Sequence, residues 1–410
     1  MIDRGVDRRA FCLGAVAASA MPACAKNDLG LKFPRLSRGI NLHHLLNWPE
    51  VDGDGTRISY RWPPFSGPSY QLADSELALI RSIGFDFLRI TADPGILIMA
   101  SGERFEFLVA YVKRLLDRLF AAGFNVVLDL HPVAVNPDFA PLRLVEDRRA
   151  ERFQSYCRMV RRLAAALSTL PAEKFALELM NEPWLSTQPQ QARWPQMLEE
   201  LHACAREAAP NLPLVLTGPD WSSAAALTYL DPSPYRNSNV LYTFHYYDPH
   251  AYTHQGVEGD ENELVAGLHW PASVENAQEA LQGALARAEE RPGFGLRQKR
   301  DVKKSLNDFI AASHDMARMR DAFAAVAAWS DAHFIPRERI FLGEFGCVSE
   351  SHGVMIPNRL AWLTAVRKIA ETFQFPWAFW AYKGYGRMAL VEQGRIDWPT
   401  VEALGLRHDE

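Results

Sequence analysis

From residue 38 onward the chain alternates between two periodicities. Short aliphatic and β-branched runs end in polar positions, a loop follows, and then comes a longer stretch with apolar residues every three to four positions. This pattern predicts strands over 39–45, 85–93, 124–132, 175–183, 212–221, 240–249, 340–348 and 376–384. The intervening pattern predicts helices, most clearly over 104–123, 151–170, 194–210 and 358–374. Gly84 and Gly123 fall just after helical stretches, where a left-handed cap is wanted. Repeated strand-helix units fit either an open doubly wound sheet or a closed barrel, and a count of eight favours the α/β (β/α)8 TIM barrel. The expected layout is a single catalytic domain over 26–410. Its extra length lies in a charged, helix-like insertion at about 250–315, between the sixth strand and its helix.

Barrels of this kind carry their chemistry at the C-terminal ends of the strands. The polar residues at those ends are therefore the candidates: Arg89, His131, Asn181 with Glu182, His245 with Tyr247, Glu344, and the aromatic Trp380. A single histidine at the end of a run is commonly a structural group; six runs ending this way form a pattern. His245 and Tyr247 are two apart, so strand alternation points both the same way and sends Tyr246 outward into the helices. Asn181 and Glu182 are adjacent and cannot both face inward in a regular strand. The chain is expected to twist or bulge there, with Pro183 breaking the ladder. Glu178 has the parity of Glu182 and would lie deeper, where it needs a partner such as Arg89.

Composition changes the picture in three places. A formal charge of -5, with 48% hydrophobic and 23% charged residues, describes an ordinary globular protein and offers no basic surface for nucleic acid. Residues 1–25 combine Arg8 and Arg9, a short apolar stretch and the small residues Ala23 and Ala25. This is the form of a twin-arginine export signal, expected to send the protein to the periplasm or outside the cell. Its apolar run is too short for a membrane span, and Pro22 makes Cys24 a poor lipid-attachment site. Cleavage after Ala25 would leave Cys157, Cys204 and Cys347, an odd number without close spacing, expected as buried free thiols rather than a disulfide framework or zinc site.

The stretches LMNEPW, FHYYDPHAYTHQG, FLGEFG and AFWAYKG, with Arg89 and His131 ahead of them, resemble glycoside hydrolase family 5, the cellulase-like retaining β-glycosidases. The resemblance covers nearly the whole chain after the signal. It implies a TIM barrel, hydrolysis of β-linked glycans with retention, and no cofactor or metal. It assigns Glu182 as acid/base and Glu344 as nucleophile, while Arg89, His131, Asn181, His245, Tyr247 and Trp380 bind or orient the substrate. The chemistry agrees independently, since an oxocarbenium-like transition state needs one carboxyl to protonate the leaving oxygen and another to attack the anomeric carbon. Glu182 is then expected to have a raised pKa and Glu344 to stay ionised.

The expected partner is a β-glucan polysaccharide or oligosaccharide, first β-1,4-glucan, and the expected state is a monomer. Mannan and other β-glucans are alternatives, and so is a barrel that binds glycan without cleaving it. A metallohydrolase reading finds no H-x-H or H-E-x-x-H spacing. His43, His44, Trp48, Asp220, Trp221 and Trp270 stay open as subsite residues.

Overall fold

The structure, a computed structural model, describes residues 31–53, 58–236, 238–291, 295–384 and 386–407. The expected export signal and Cys24 lie outside the described residues.

Eight parallel strands close into one barrel. They are β1 Arg38–Leu46, β2 Phe87–Ala92, β3 Asn125–Leu130, β4 Phe175–Glu178, β5 Leu214–Thr217, β6 Val240–His245, β7 Ile340–Phe345 and β8 Trp377–Phe379. Each strand pairs with its sequence neighbours, and β8 closes onto β1. The helices that alternate with the strands or fill the insertion are α1 Asp74–Ile83, α2 Glu103–Ala121, α3 Glu151–Leu167, α4 Trp194–Ala208, α5 Ala224–Thr228, α6 Val274–Glu290, α7 Leu296–Ala312, α8 Met316–Ala332, α9 Arg359–Thr372 and α10 Trp398–Ala403. With α6, α7 and the short loop helices such as Pro94–Met99 and His250–Thr253 set aside, one helix follows each strand among the described residues, which is the TIM barrel. Among the described residues no helix is long and apolar enough to cross a membrane.

Local sequence explains these elements. In α1, Leu77, Ile80 and Ile83 fall three apart and bury one face. The Glu76 carboxylate accepts from the Ala73 N–H at 2.9 Å to start the helix, and Gly84 at φ +107° ends it. The insertion after β6 is a helical pair. The small residues Ala277, Ala280, Ala284 and Ala288 make the buried stripe of α6, and Val302, Leu306 and Phe309 of α7 are buried as well. The charged, helix-like insertion therefore has its own apolar seam.

Inside the barrel, strand alternation builds layers. Phe87, Val127, Ala176, Val215, Leu241, Phe341 and Ala378 form an apolar plug toward the N-terminal end. Two residues further along, the same parity in β2, β3 and β4 delivers Arg89, Asp129 and Glu178, all fully buried.

Several strands stop earlier than the hydrophobic runs suggest. β4 pairs only through Glu178, three residues before Asn181 and four before Glu182, and β8 ends at Phe379. Pro183 is therefore not what breaks the β4 ladder. Past Glu178 the chain keeps isolated bonds, from Leu179 N–H to the Val215 carbonyl and from Asn181 N–H to the Leu130 carbonyl. Glu182 then turns out of the sheet at φ +39°. The apolar residues beyond the ladder, Leu179 and Met180, are buried without being strand, which is why the run overstates the strand.

Candidate active site

Arg89 is the hub. From β2 its Nε and Nη2 donate to the two oxygens of Glu178 at 2.8 Å each. Nη1 donates to Glu344 Oε1 at 2.7 Å and to Asn41 Oδ1 at 3.0 Å. Nη2 also reaches Asn181 Oδ1 at 2.8 Å and lies 3.1 Å from Asp129 Oδ2. Removing a guanidinium and three carboxylates from water is expensive, and the arrangement is tolerable because the planar fork matches several acceptors at once. Glu178 is thus the buried partner of Arg89.

Glu344 near the end of β7 accepts from Arg89 on one oxygen and from the Tyr247 hydroxyl on the other at 2.9 Å. His245 Nδ1 is 3.7 Å from that second oxygen. Gly343 makes room for this: a Cβ there would meet Thr243 Oγ1 at 2.4 Å and His245 Nε2 at 3.1 Å. Glu182 comes in from the β4 exit, its Oε1 2.7 Å from His245 Nδ1. His245 and Tyr247 do point the same way. Tyr246 faces outward and packs on Phe323 of α8 and Trp362 of α9.

The two carboxylates sit in different fields. Although 27% of the Glu182 side chain meets solvent at the mouth, the crowding cleft walls push its pKa up to about 7, with Arg89 and then His250 pulling back. Burial pushes Glu344 upward too, countered by the permanent charge of Arg89. Only Glu344 receives a guanidinium N–H and a phenol O–H directly, so its anion is the better supported of the two.

His131 Nδ1 lies 2.7 Å from Asp129 Oδ2, and its Nε2 lies 3.4 Å from Asn181 Nδ2. A neutral ring donating from Nδ1 to Asp129 and accepting at Nε2 fits both contacts. Burial holds His131 at about 3 and His245 at about 4, so both rings are neutral near pH 7. Trp380 stacks on His131, centroids 5.7 Å apart and planes 14° apart, with His43 4.7 Å away. Only 3% of Trp380 is exposed, because neighbouring rings take much of its surface.

All eight sequence candidates therefore meet at one mouth. Sequence reasoning missed Asp129 and Asn41 and left His43 open. Asp129 had a usable signal, a carboxylate inside VVLDLH with the parity of His131. His43 accepts from Trp48 Nε1 at 2.7 Å, and its Nδ1 lies 3.2 Å from Thr91 Oγ1. Trp48, Trp184 and Trp221 are each 40% exposed or more, and the last two meet edge to face at 6.0 Å. Trp270 is buried at 4% exposure and lines no open surface.

Two trios, Asp129–His131–Glu344 and Glu182–His245–Glu344, each bring one ligand atom per residue within 4.8 Å of the others. Sequence spacing could not have revealed these clusters. A divalent cation fits them poorly, since each trio contains a carboxylate already held by Arg89 and an imidazole nitrogen already bonded to a carboxylate.

A profile for cellulase (glycosyl hydrolase family 5) matches residues 51–386. Endoglucanase 3 of Fibrobacter succinogenes is 23% identical over 390 residues, which are 90% of this chain and 53% of that protein. The chain thus spans about half of that relative. Endoglucanase C of Acetivibrio thermocellus is 23% identical over 319 residues, 76% of this chain and 84% of its own. Among solved structures, the cellulose synthase subunit Z of Clostridioides difficile superposes with a TM-score of 0.63 at 20% identity, covering 90% of this chain and 99% of its own. Cel5A of Thermotoga maritima in complex with mannotriose gives 0.64 at 19% identity, with 90% and 97% covered.

Proposed function

The chain belongs to glycosyl hydrolase family 5 and is a glycoside hydrolase, and on that premise we propose that it is an endo-acting β-1,4-glucanase working with retention of configuration. The observation that carries the reading is the approach of Glu182 and Glu344, with carboxylate oxygens less than 4.8 Å apart across the mouth. Retaining glycosidases hold their two carboxyls about 5–5.5 Å apart, and inverting ones need about 6.5–9.5 Å for an intervening water.

In the first step Glu344 attacks the anomeric carbon while Glu182 gives its proton to the glycosidic oxygen, forming a glycosyl ester and releasing the aglycone side. In the second, Glu182 as carboxylate takes a proton from water, which attacks the same carbon and frees Glu344. The upward pKa of Glu182 supports its starting proton, and the bonds from Arg89 and Tyr247 support Glu344 as an anion. Asn181, fixed through Arg89, is suited to the sugar 2-hydroxyl. His131, His245 and Trp380 shape the subsite at the cleavage point.

Endo action is supported by exposed tryptophans at separate strand exits, Trp48 after β1, and Trp184 and Trp221 after β4 and β5. A chain crossing the barrel would find a flat face at either end. Two relatives are endoglucanases by name, and Cel5A of Thermotoga maritima has been captured with cellobiose as well as mannotriose. That last pairing supports mannan hydrolysis as the second reading.

The test is reducing-sugar release from a panel of β-1,4-glucan, mixed-linkage glucan, xyloglucan and mannan, with NMR of the first anomer formed. Fast release from β-1,4-glucan with the β anomer first is expected. An α anomer first overturns retention, faster release from mannan moves the substrate, and no release from any glycan overturns the catalytic reading in favour of a binding barrel. We also propose export through residues 1–25, on the strength of Arg8–Arg9 and the small residues before Lys26. Sequencing the N-terminus of the secreted or periplasmic protein checks it, and an unprocessed cytosolic product overturns it.

A further inference from the structure

We propose that Cys157 of α3 and Cys204 of α4 are a dithiol modification site, closing into a disulfide when a small-molecule or protein disulfide reaches the outer face of the barrel. The inference is independent of the glycosidase reading.

The register of the two helices carries it. α3 and α4 follow consecutive parallel strands and run side by side. Gln154 Nε2 donates to Glu200 Oε1 at 2.7 Å, and Arg161 Nη2 lies 2.6 Å from Glu207 Oε2. From 154 to 161 and from 200 to 207 is two helical turns in each helix, so the contacts bracket one intervening turn. Cys157 and Cys204 occupy that turn, Cys157 between Gln154 and Arg161 and Cys204 between Glu200 and Glu207, so the register sets the two side chains at the same level of the seam. Cys157 is buried against the core, whereas Cys204 is partly exposed.

That asymmetry orders the chemistry. The neighbouring Cys157 thiol, with help from the Arg161 guanidinium, brings the Cys204 thiol down to about 7, while Cys157 is pushed up by its partner and by burial. Cys204 is therefore the more acidic thiol of the pair, and it is the one an external reagent can reach. Its sulfur attacks one sulfur of the incoming disulfide, R–S–S–R, forming a mixed disulfide and releasing one thiolate. The Cys157 sulfur then attacks the Cys204 sulfur, displacing the second R–S group, which leaves with the Cys157 proton. Two protein thiols are oxidised and one external disulfide is reduced to two thiols. Cys347, fully buried and well above the ordinary thiol range, stays out of the exchange.

The experiment treats the purified full chain with glutathione disulfide at mildly alkaline pH and digests it with trypsin without reduction. Peptides 153–158 and 194–206 are expected as one cross-linked species, with thermal unfolding raised by several degrees and restored by dithiothreitol. In Cys157→Ser a stable glutathione adduct is expected on Cys204, and in Cys204→Ser no modification of Cys157. A wild-type chain that keeps glutathione on Cys204 beside a free Cys157, or leaves both thiols untouched, overturns the proposal. The peptide map needs only the wild-type protein, so a variant that fails to fold does not remove the test.

Discussion

Two layers of the barrel interior, one rung apart on the same strands, follow opposite rules. The lower layer, with Phe87, Val127 and Leu241 among its members, is held by dispersion and water exclusion. The layer above it in β2, β3 and β4 is Arg89, Asp129 and Glu178, where every group must find a partner or cost several kcal/mol. Backbone geometry and parity are common to both, so the difference lies in the side chains alone. The lower layer supports the fold. The upper one spends stability to fix charges under the mouth.

The comparison is sharpest where a mutation hits one layer's purpose and spares the other's. The largest effect is expected for Glu344→Gln, a loss of about 10⁴-fold or more in kcat/KM with an unchanged denaturation midpoint. A fall in stability to match would merge the two layers into one. Azide added to Glu344→Ala should restore turnover and yield the glycosyl azide of inverted configuration; a retained product would exchange the roles of the two glutamates.

Next comes Arg89→Met, which strands three carboxylates. A loss of about 3–5 kcal/mol in urea unfolding is expected together with loss of hydrolysis. Phe87→Ala makes the opposite test, costing about 3–5 kcal/mol while leaving kcat/KM within about two-fold wherever the protein is folded. If activity collapses first, the plug is not separable from the site.

Glu182 gives a linkage test. With its folded pKa raised to about 7, the native state binds the proton more tightly than the unfolded chain does. Its contribution therefore falls as pH rises from the unfolded carboxyl value toward 7. Glu182→Gln removes that penalty and should stabilise the protein at pH 7–8 by on the order of 1–3 kcal/mol, while cutting turnover by about 10²–10⁴-fold. The smallest effect is expected for His250→Gln. His250 is bonded to Asp260 at 2.8 Å, which with its other acidic neighbours keeps the ring more basic than usual, and its positive charge lowers the Glu182 pKa. Removing it should move the alkaline limb of the pH–rate profile upward by a fraction of a unit; a downward shift would contradict the geometry.

The barrel was legible because each strand is a short apolar run between turn signals. The candidate cluster was legible because its residues lie at the ends of those runs. What escaped was whatever depends on register between strands. Asp129 stands opposite Glu178 and Val127 opposite Arg89, pairings made by hydrogen-bonded ladders between segments some 40 to 50 residues apart. The same holds for Cys157 and Cys204, whose separation along the chain suggested no relation until two helices lay side by side. Strand lengths were overstated where buried loop residues, such as Leu179 and Met180, continue an apolar run past the ladder. Trp270 stayed open as a subsite residue because burial of one tryptophan among eleven cannot be read from its neighbours in sequence.

Glu182 sits at φ +39°, in the left-handed region that a β-carbon disfavours by about 1–3 kcal/mol. A glycine or asparagine there would relax the backbone and remove the carboxyl in one step. Drift therefore has a downhill direction at this position once selection for turnover stops. A descendant of this chain that had given up cleavage would carry Gly or Asn after Asn181 on an otherwise intact barrel, a mark by which retired copies could be told from working ones in sequence alone.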